Sequence, residues 1–167
     1  MSVKLAAAMI KMAGKAKTMK EAESKALEVI ENGQALKVFE KMIKAQGGQT
    51  AFINDYSKLP VASEKTTFKA KSNGFIKVIP CKEMGMHCVS LGGGRRKSSD
   101  KVDPAVGIIL KKKVGDKVKK GEEILEIVHH KKQKKEVSNI LEALQKGIKI
   151  SKAKVSKYKL VYESKEI

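Results

Sequence analysis

Leu5, Ala8, Met9, Met12 and Ala13 recur at i, i+3, i+4, i+7 and i+8, which places them on one helical face with Lys4, Lys11 and Lys15 pointing away. Gly14 and Lys17 loosen the end of that helix. Thr18-Met19-Lys20-Glu21 then has the form of a capping box, in which the Thr oxygen takes one unpaired amide and the glutamate returns to the cap nitrogen. A second helix is therefore predicted from near Met19, with Met19, Ala22, Ala26, Val29 and Ile30 on its buried face and Gly33 just past its end. A third follows at once, with Leu36, Phe39, Met42 and Ile43 on its face and Gly47-Gly48 as the stop. Three short helices with short joints make a compact antiparallel group, not a large independent domain.

From Gln49 to Ser63 the periodicity fades and Pro60 breaks any helix, so this stretch reads as a connection. Strand texture follows. Thr66 to Lys71 alternates, Asn73-Gly74 is a tight-turn pair, and Phe75 to Ile79 is a short apolar strand, which together predict a hairpin. Met84, Cys88 and Leu91 stand at helical spacing, so Cys81 to Leu91 reads as a short helix despite Gly85. Val106 to Lys111 and Glu123 to Val128 are β-rich runs flanking VGDKVKKGE, where Gly115 and Gly121 allow positive φ and Val114 and Val118 alternate inward. Val137, Ile140, Leu141 and Leu144 mark one amphipathic helix ended by Gly147, and a last strand is expected over Tyr158 to Tyr162. The fold class is α+β: an N-terminal group of short helices, then a small strand-rich, barrel-sandwich-like subdomain with covering helices.

Composition narrows the chemistry. With 167 residues and 41% apolar content the chain has the make-up of a soluble globular protein. Four Phe, three Tyr and no Trp leave the core to Leu, Ile, Val, Ala and Met. The net charge of +18 favours acidic partners or nucleic acid, yet only Arg95 and Arg96 among the 36 basic residues are arginines. Proteins that read nucleic acid lean on Arg for bidentate contacts and on aromatics for stacking, and both are scarce here, so a solvated lysine surface is the simpler reading. A free-standing lysine-rich binding module for acidic partners or nucleic acid stays as the alternative. Cys81 and Cys88 support neither a zinc site nor a disulfide framework and read as two free thiols. No signal-peptide core and no membrane-length apolar run is visible, which predicts a cytoplasmic protein with no membrane partner.

No nucleophile elbow, P-loop lysine motif or G-x-G-x-x-G at a strand end occurs, so no catalytic, cofactor-binding or metal-binding residue is assigned. Gly92-Gly93-Gly94-Arg95-Arg96 could offer amides and guanidinium groups to a phosphate, or be a solvated surface loop. His87 reads as a packed or solvated side chain, and His129 and His130 as a polar strand exit. The VGDKVKKGE turn resembles that of lipoyl and biotinyl carrier domains, but Glu83-Met84-Gly85-Met86 has glycine where such domains carry the modified lysine, which argues against a swinging arm.

Taken together, Leu5 to Gly48, SNGFIKVI, LGGGRRKSSDKVDPAVGIILKKKVGDKVKKGEEIL and the terminal helix resemble, in order, the C-terminal region of pyrimidine nucleoside and thymidine phosphorylases. The resemblance implies a pentosyltransferase that exchanges a pyrimidine base for phosphate at C1 of ribose or deoxyribose. It implies that residues 1–48 belong to the family's α/β core, that 49–65 connect, and that 66–167 form its C-terminal subdomain. The family's phosphate-binding, base-binding and cation-binding residues precede the point where this chain begins. The resemblance therefore implies no catalysis by this chain alone, a missing N-terminal half as partner, and phosphate and pyrimidine nucleoside as ligands only of the complete enzyme. It also implies that Gly93, Gly94, Arg95 and Arg96 lie on a loop that closes toward the cleft, where glycines would permit the swing and closure would exclude water. Three origins suit such a chain: one product of a split gene, an artificially truncated piece or pseudogene remnant, or a free-standing domain with a new binding role.

Overall fold

Alanine rather than methionine holds the N-terminal helices together in a computed structural model of the chain, which describes residues 1–159 and residue 161. Helices α1 (Ser2–Met12), α2 (Met19–Glu31) and α3 (Gln34–Ala45) belong to a unit spanning Met1–Lys58. Ala7, Ala16 and Ala22 form its buried cluster, with Ile10 and Met19 packed alongside. Side chains of one carbon let two helix backbones approach, so α1 turns Ala7 inward and leaves Leu5, Met9 and Met12 outward at 59%, 64% and 71% exposure. The face predicted from periodicity is thus a real apolar face, but it is not buried. The same holds for Leu36, Phe39 and Met42 on α3 and for Ile30 on α2, all of them exposed, while Ala22 and Ala26 of α2 are buried as expected. The Phe39 ring meets Phe52 edge to face, with centroids 6.5 Å apart.

Local signals set the helix ends. Thr18 Oγ1 accepts the Glu21 amide at 3.1 Å, as the capping box predicts, whereas the Glu21 carboxylate takes the amide of Lys17 at 2.8 Å, one residue before the cap nitrogen. Gly14 adopts φ +68°, which lets the Lys15 amide fold back onto the Ile10 carbonyl and close α1.

The second unit, Leu59–Tyr158, contains β1 (Glu64–Lys69), β2 (Gly74–Val78), α4 (Cys81–Ser90), β3 (Gly107–Leu110), β4 (Lys117–Val118), β5 (Glu123–His129), α5 (Lys134–Gly147) and β6 (Lys149–Ser151). Two antiparallel three-stranded sheets result, in the orders β1-β5-β3 and β4-β2-β6. The expected hairpin of β1 with β2 does not form. Instead β1 pairs with β5, setting Phe68 opposite Leu125, and the chain crosses into the other sheet, where Gly74 faces Val118. Asn73 contributes to that crossing through its side chain, whose Oδ1 accepts the Lys120 amide at 2.8 Å.

Strand β5 has a partner on each edge and is buried from Ile124 to His129 apart from Glu126, so it is the centre of the unit. Phe68, Ile76, Ile124, Leu125 and Ile127 pack against Val137, Ile140 and Leu144 of α5, the helical face read from the sequence. Each fully buried aliphatic side chain contributes about 1.5–3 kcal/mol. The VGDKVKKGE connector behaves as predicted: Gly115 and Gly121 take φ +88° and +84°, Val118 is buried and Val114 packs on the core. The last strand expected over Tyr158 to Tyr162 extends outside the described residues; Tyr158 and Lys159 are in no strand. Among the described residues no helix is long and apolar enough to cross a membrane.

Candidate functional site

The glycine-rich basic loop begins where α4 runs out. Leu91 is buried and its amide still bonds to the His87 carbonyl, while Gly92 and Gly93 donate to Val89 and Cys88. Gly92 takes φ +93° and turns the chain out of the helix. Gly93 and Gly94 serve another purpose. A β-carbon at Gly93 would stand 3.2 Å from the Cys88 carbonyl oxygen, and one at Gly94 would stand 2.7 Å from Val89 Cγ2, so both are glycines because the loop lies tight on α4.

Arg95, Arg96 and Lys97 are exposed. The amides of Arg96 and Lys97, which could have received a phosphate, donate to Asp100 Oδ2 at 2.9 and 3.0 Å. The loop therefore presents guanidinium groups to solvent, while these two backbone donors are satisfied by its own aspartate.

A polar cluster closes the base of the loop. The Asp103 amide donates to the Gly92 carbonyl at 2.8 Å. Asp103 Oδ1 accepts the Ala105 amide at 3.0 Å, and Oδ2 lies 2.8 Å from His130 Nε2. The Ala105 amide, and after it His130, hold the Asp103 carboxyl below its ordinary range. Gln133 donates from Nε2 to the Leu91 carbonyl and accepts the His130 amide at Oε1, each at 2.7 Å. Sequence reasoning singled out neither Asp103 nor Gln133. The one local signal was a glutamine interrupting a lysine run three residues after His130.

The other candidates resolve individually. His129 is buried; a carbonyl only accepts, so Nδ1 donates to the His130 carbonyl, leaving Nε2 beside Thr66 Oγ1 at 2.9 Å. His87 lines an apolar groove of about 540 Å³ with Pro80, Met86, Leu144 and Gly147, where α4 meets the end of α5. Both thiols are free. Burial pushes the Cys88 thiol up, which makes it a packing residue, and Cys81 is exposed. Among the described residues no group of three or more His, Cys, Asp or Glu side chains could hold a metal ion.

Residues 75–151, which include the whole of this cluster, match the family model described as the pyrimidine nucleoside phosphorylase C-terminal domain. The chain is 41% identical over 133 residues to a pyrimidine-nucleoside phosphorylase of Bacillus subtilis (strain 168), covering 80% of this chain and 31% of the relative. It is 38% identical over 152 residues to a pyrimidine-nucleoside phosphorylase of Staphylococcus aureus (strain bovine RF122 / ET3-1), covering 91% of this chain and 34% of the relative. The chain thus spans about a third of the length of the curated relatives it matches.

Proposed function

We propose, from the match of residues 75–151 to the pyrimidine nucleoside phosphorylase C-terminal domain, that this chain supplies the C-terminal part of a phosphorylase and works together with the N-terminal part of that enzyme. The reaction is phosphorolysis of a pyrimidine nucleoside to the free base and a pentose 1-phosphate. One observation carries the reading: similarity runs through 80–91% of this chain but reaches only 31–34% of each relative. The remaining two-thirds of the enzyme would bring the substrate-binding and catalytic groups.

In this reading residues 1–48 complete the enzyme's α/β core, 49–65 connect, and 66–167 form the appended subdomain. The exposed apolar faces of α1 and α3, with Leu5, Met9, Met12, Leu36, Phe39 and Met42, are what the preceding part of the enzyme would cover. The loop with Gly93, Gly94, Arg95 and Arg96 would edge the cleft. Since Gly93 and Gly94 lie tight on α4, its movable part would run from Arg95 to Lys101. Its role would be to exclude water and add positive charge near phosphate. In this reading the enzyme works in the cytoplasm.

The test is reconstitution. The chain is mixed with the N-terminal two-thirds of a relative, and phosphate-dependent release of uracil or thymine is measured. Activity in the mixture, with none in either part alone, supports the reading. A stable complex without activity, or no complex, removes it; salt-sensitive binding of RNA by the chain alone would instead favour a lysine-rich binding module.

A further inference from the structure

His130 and Gln133 do more than end a strand. His130 follows β5 directly, and Gln133 closes the single 3-10 turn Lys131–Gln133, so their separation is fixed by the central strand and one turn of backbone. From that turn two side chains reach the two ends of one distant loop. Gln133 Nε2 takes the Leu91 carbonyl at its start and His130 Nε2 meets the Asp103 carboxylate at its finish, at 2.7 and 2.8 Å. The Gly92 carbonyl and the Asp103 amide join those ends to each other at 2.8 Å. The His130 amide bonds to Gln133 Oε1, which completes a closed ring of hydrogen bonds around the base of the loop.

We propose that His130 and Gln133 are positioning residues that clamp both ends of the Gly92–Asp103 loop to the exit of β5, leaving Arg95 to Lys101 as its only free segment. The consequence for catalysis rests on the lid reading above; the clamp itself does not. Within the free segment the Asp100 carboxylate gathers two amides, while Arg95, Arg96 and Lys97 are exposed and take part in no ion pair among the described residues. The side chains of His130 and Asp103 are 37% and 35% exposed, so water competes for their bond. The clamp therefore restrains the loop ends by a modest amount, as a lid that opens and closes requires.

Amide hydrogen exchange across residues 93–101, together with trypsin cleavage after Arg95 and Arg96, tests the clamp on the full chain without partner or substrate. His130→Ala and Gln133→Ala are expected to raise both by about three- to tenfold, the equivalent of one net hydrogen bond. Exchange at Ile127 and Ile140 in the core should stay as in the parent, and Lys131→Ala should leave the loop alone. Gln133→Glu keeps the acceptor for the His130 amide and loses the donor to Leu91, so its effect should fall between parent and Gln133→Ala. Unchanged loop exchange in both alanine variants overturns the proposal, as does a rise in the core equal to that in the loop. Should either alanine variant fail to fold, Gln133→Glu and His130→Gln carry the same comparison. In the reconstituted enzyme, Arg95→Ala/Arg96→Ala with unchanged turnover would remove the lid reading and leave the clamp standing.

Discussion

Gly74 lies directly against Ser151 of the neighbouring strand: a β-carbon at Gly74 would overlap the Ser151 carbonyl oxygen. Its φ of +155° is also one that other residues rarely adopt. Backbone cannot swing aside as a side chain can, so Gly74→Ala is expected to cost about 3 kcal/mol by forcing β2 and β6 apart. Gly121 has a positive φ but open space around it, and Gly121→Ala should cost only about 1 kcal/mol. Urea denaturation of the two variants beside the parent checks the order; equal losses would mean that the close approach to Ser151 is unimportant.

The outward apolar faces of the helical unit separate stability from assembly. Met9→Ser and Met12→Ser should change the stability of the chain by no more than about 0.5 kcal/mol, because both side chains already meet water. Ile140→Ala, at 0% exposure, should cost about 2–5 kcal/mol. In the mixing experiment the ranking reverses for the methionines, which are expected to weaken association with the N-terminal part at least tenfold. Full association by the doubly substituted chain would show that this face lies elsewhere in the enzyme.

Acid should destabilise the α+β unit in a definite window. Asp116 is held low first by the Lys157 side chain, 2.7 Å away, Glu122 first by Lys112, and Asp103 first by the Ala105 amide. A carboxylate with a lowered folded-state value stabilises above its ordinary value, 3.8 for aspartate and 4.5 for glutamate, and that contribution disappears as pH falls through the folded value below it. The urea midpoint should therefore be flat near neutrality and fall below about pH 4.5, less steeply in Asp116→Asn. A midpoint that rises on acidification would contradict these assignments.

The two thiols should differ in rate. Cys81 is exposed at the start of α4, whereas Cys88 is partly buried with its thiol pushed up, so a disulfide reagent at pH 8 should modify Cys81 at least tenfold faster. Equal rates in the folded chain would mean that α4 opens readily.

What could be read from the chain in advance was mainly short-range. The face of α5, the inward valines of VGDKVKKGE and the left-handed turns at Gly115 and Gly121 depend on residues a few positions apart, and all three occur as read. The hairpin was misread because Asn73-Gly74 favours a reversal without naming the partner; Phe68 found Leu125, far along the chain, instead of β2. The faces of α1 and α3 were legible as apolar stripes, but periodicity shows only that a stripe is apolar and not whether this chain covers it. Within the loop, Gly93 and Gly94 suggested mobility, and the structure gives them a packing role against Cys88 and Val89. The Asp103–His130 bond spans 27 positions and left no local trace.

The pairing of Glu64–Lys69 with Glu123–His129 also fixes an order of events in time. During synthesis β1 emerges early and has no edge to join until β5 follows, so its amide and carbonyl groups and Phe68 stay exposed while most of the unit is made. At about 5–20 residues per second that interval lasts several seconds. The helical unit needs only neighbours close in sequence and can form meanwhile. Strand β5 can pair at once with β3 just before it, whereas β1 must wait for a long loop to close, which leaves β1 an unpaired edge in a nascent chain.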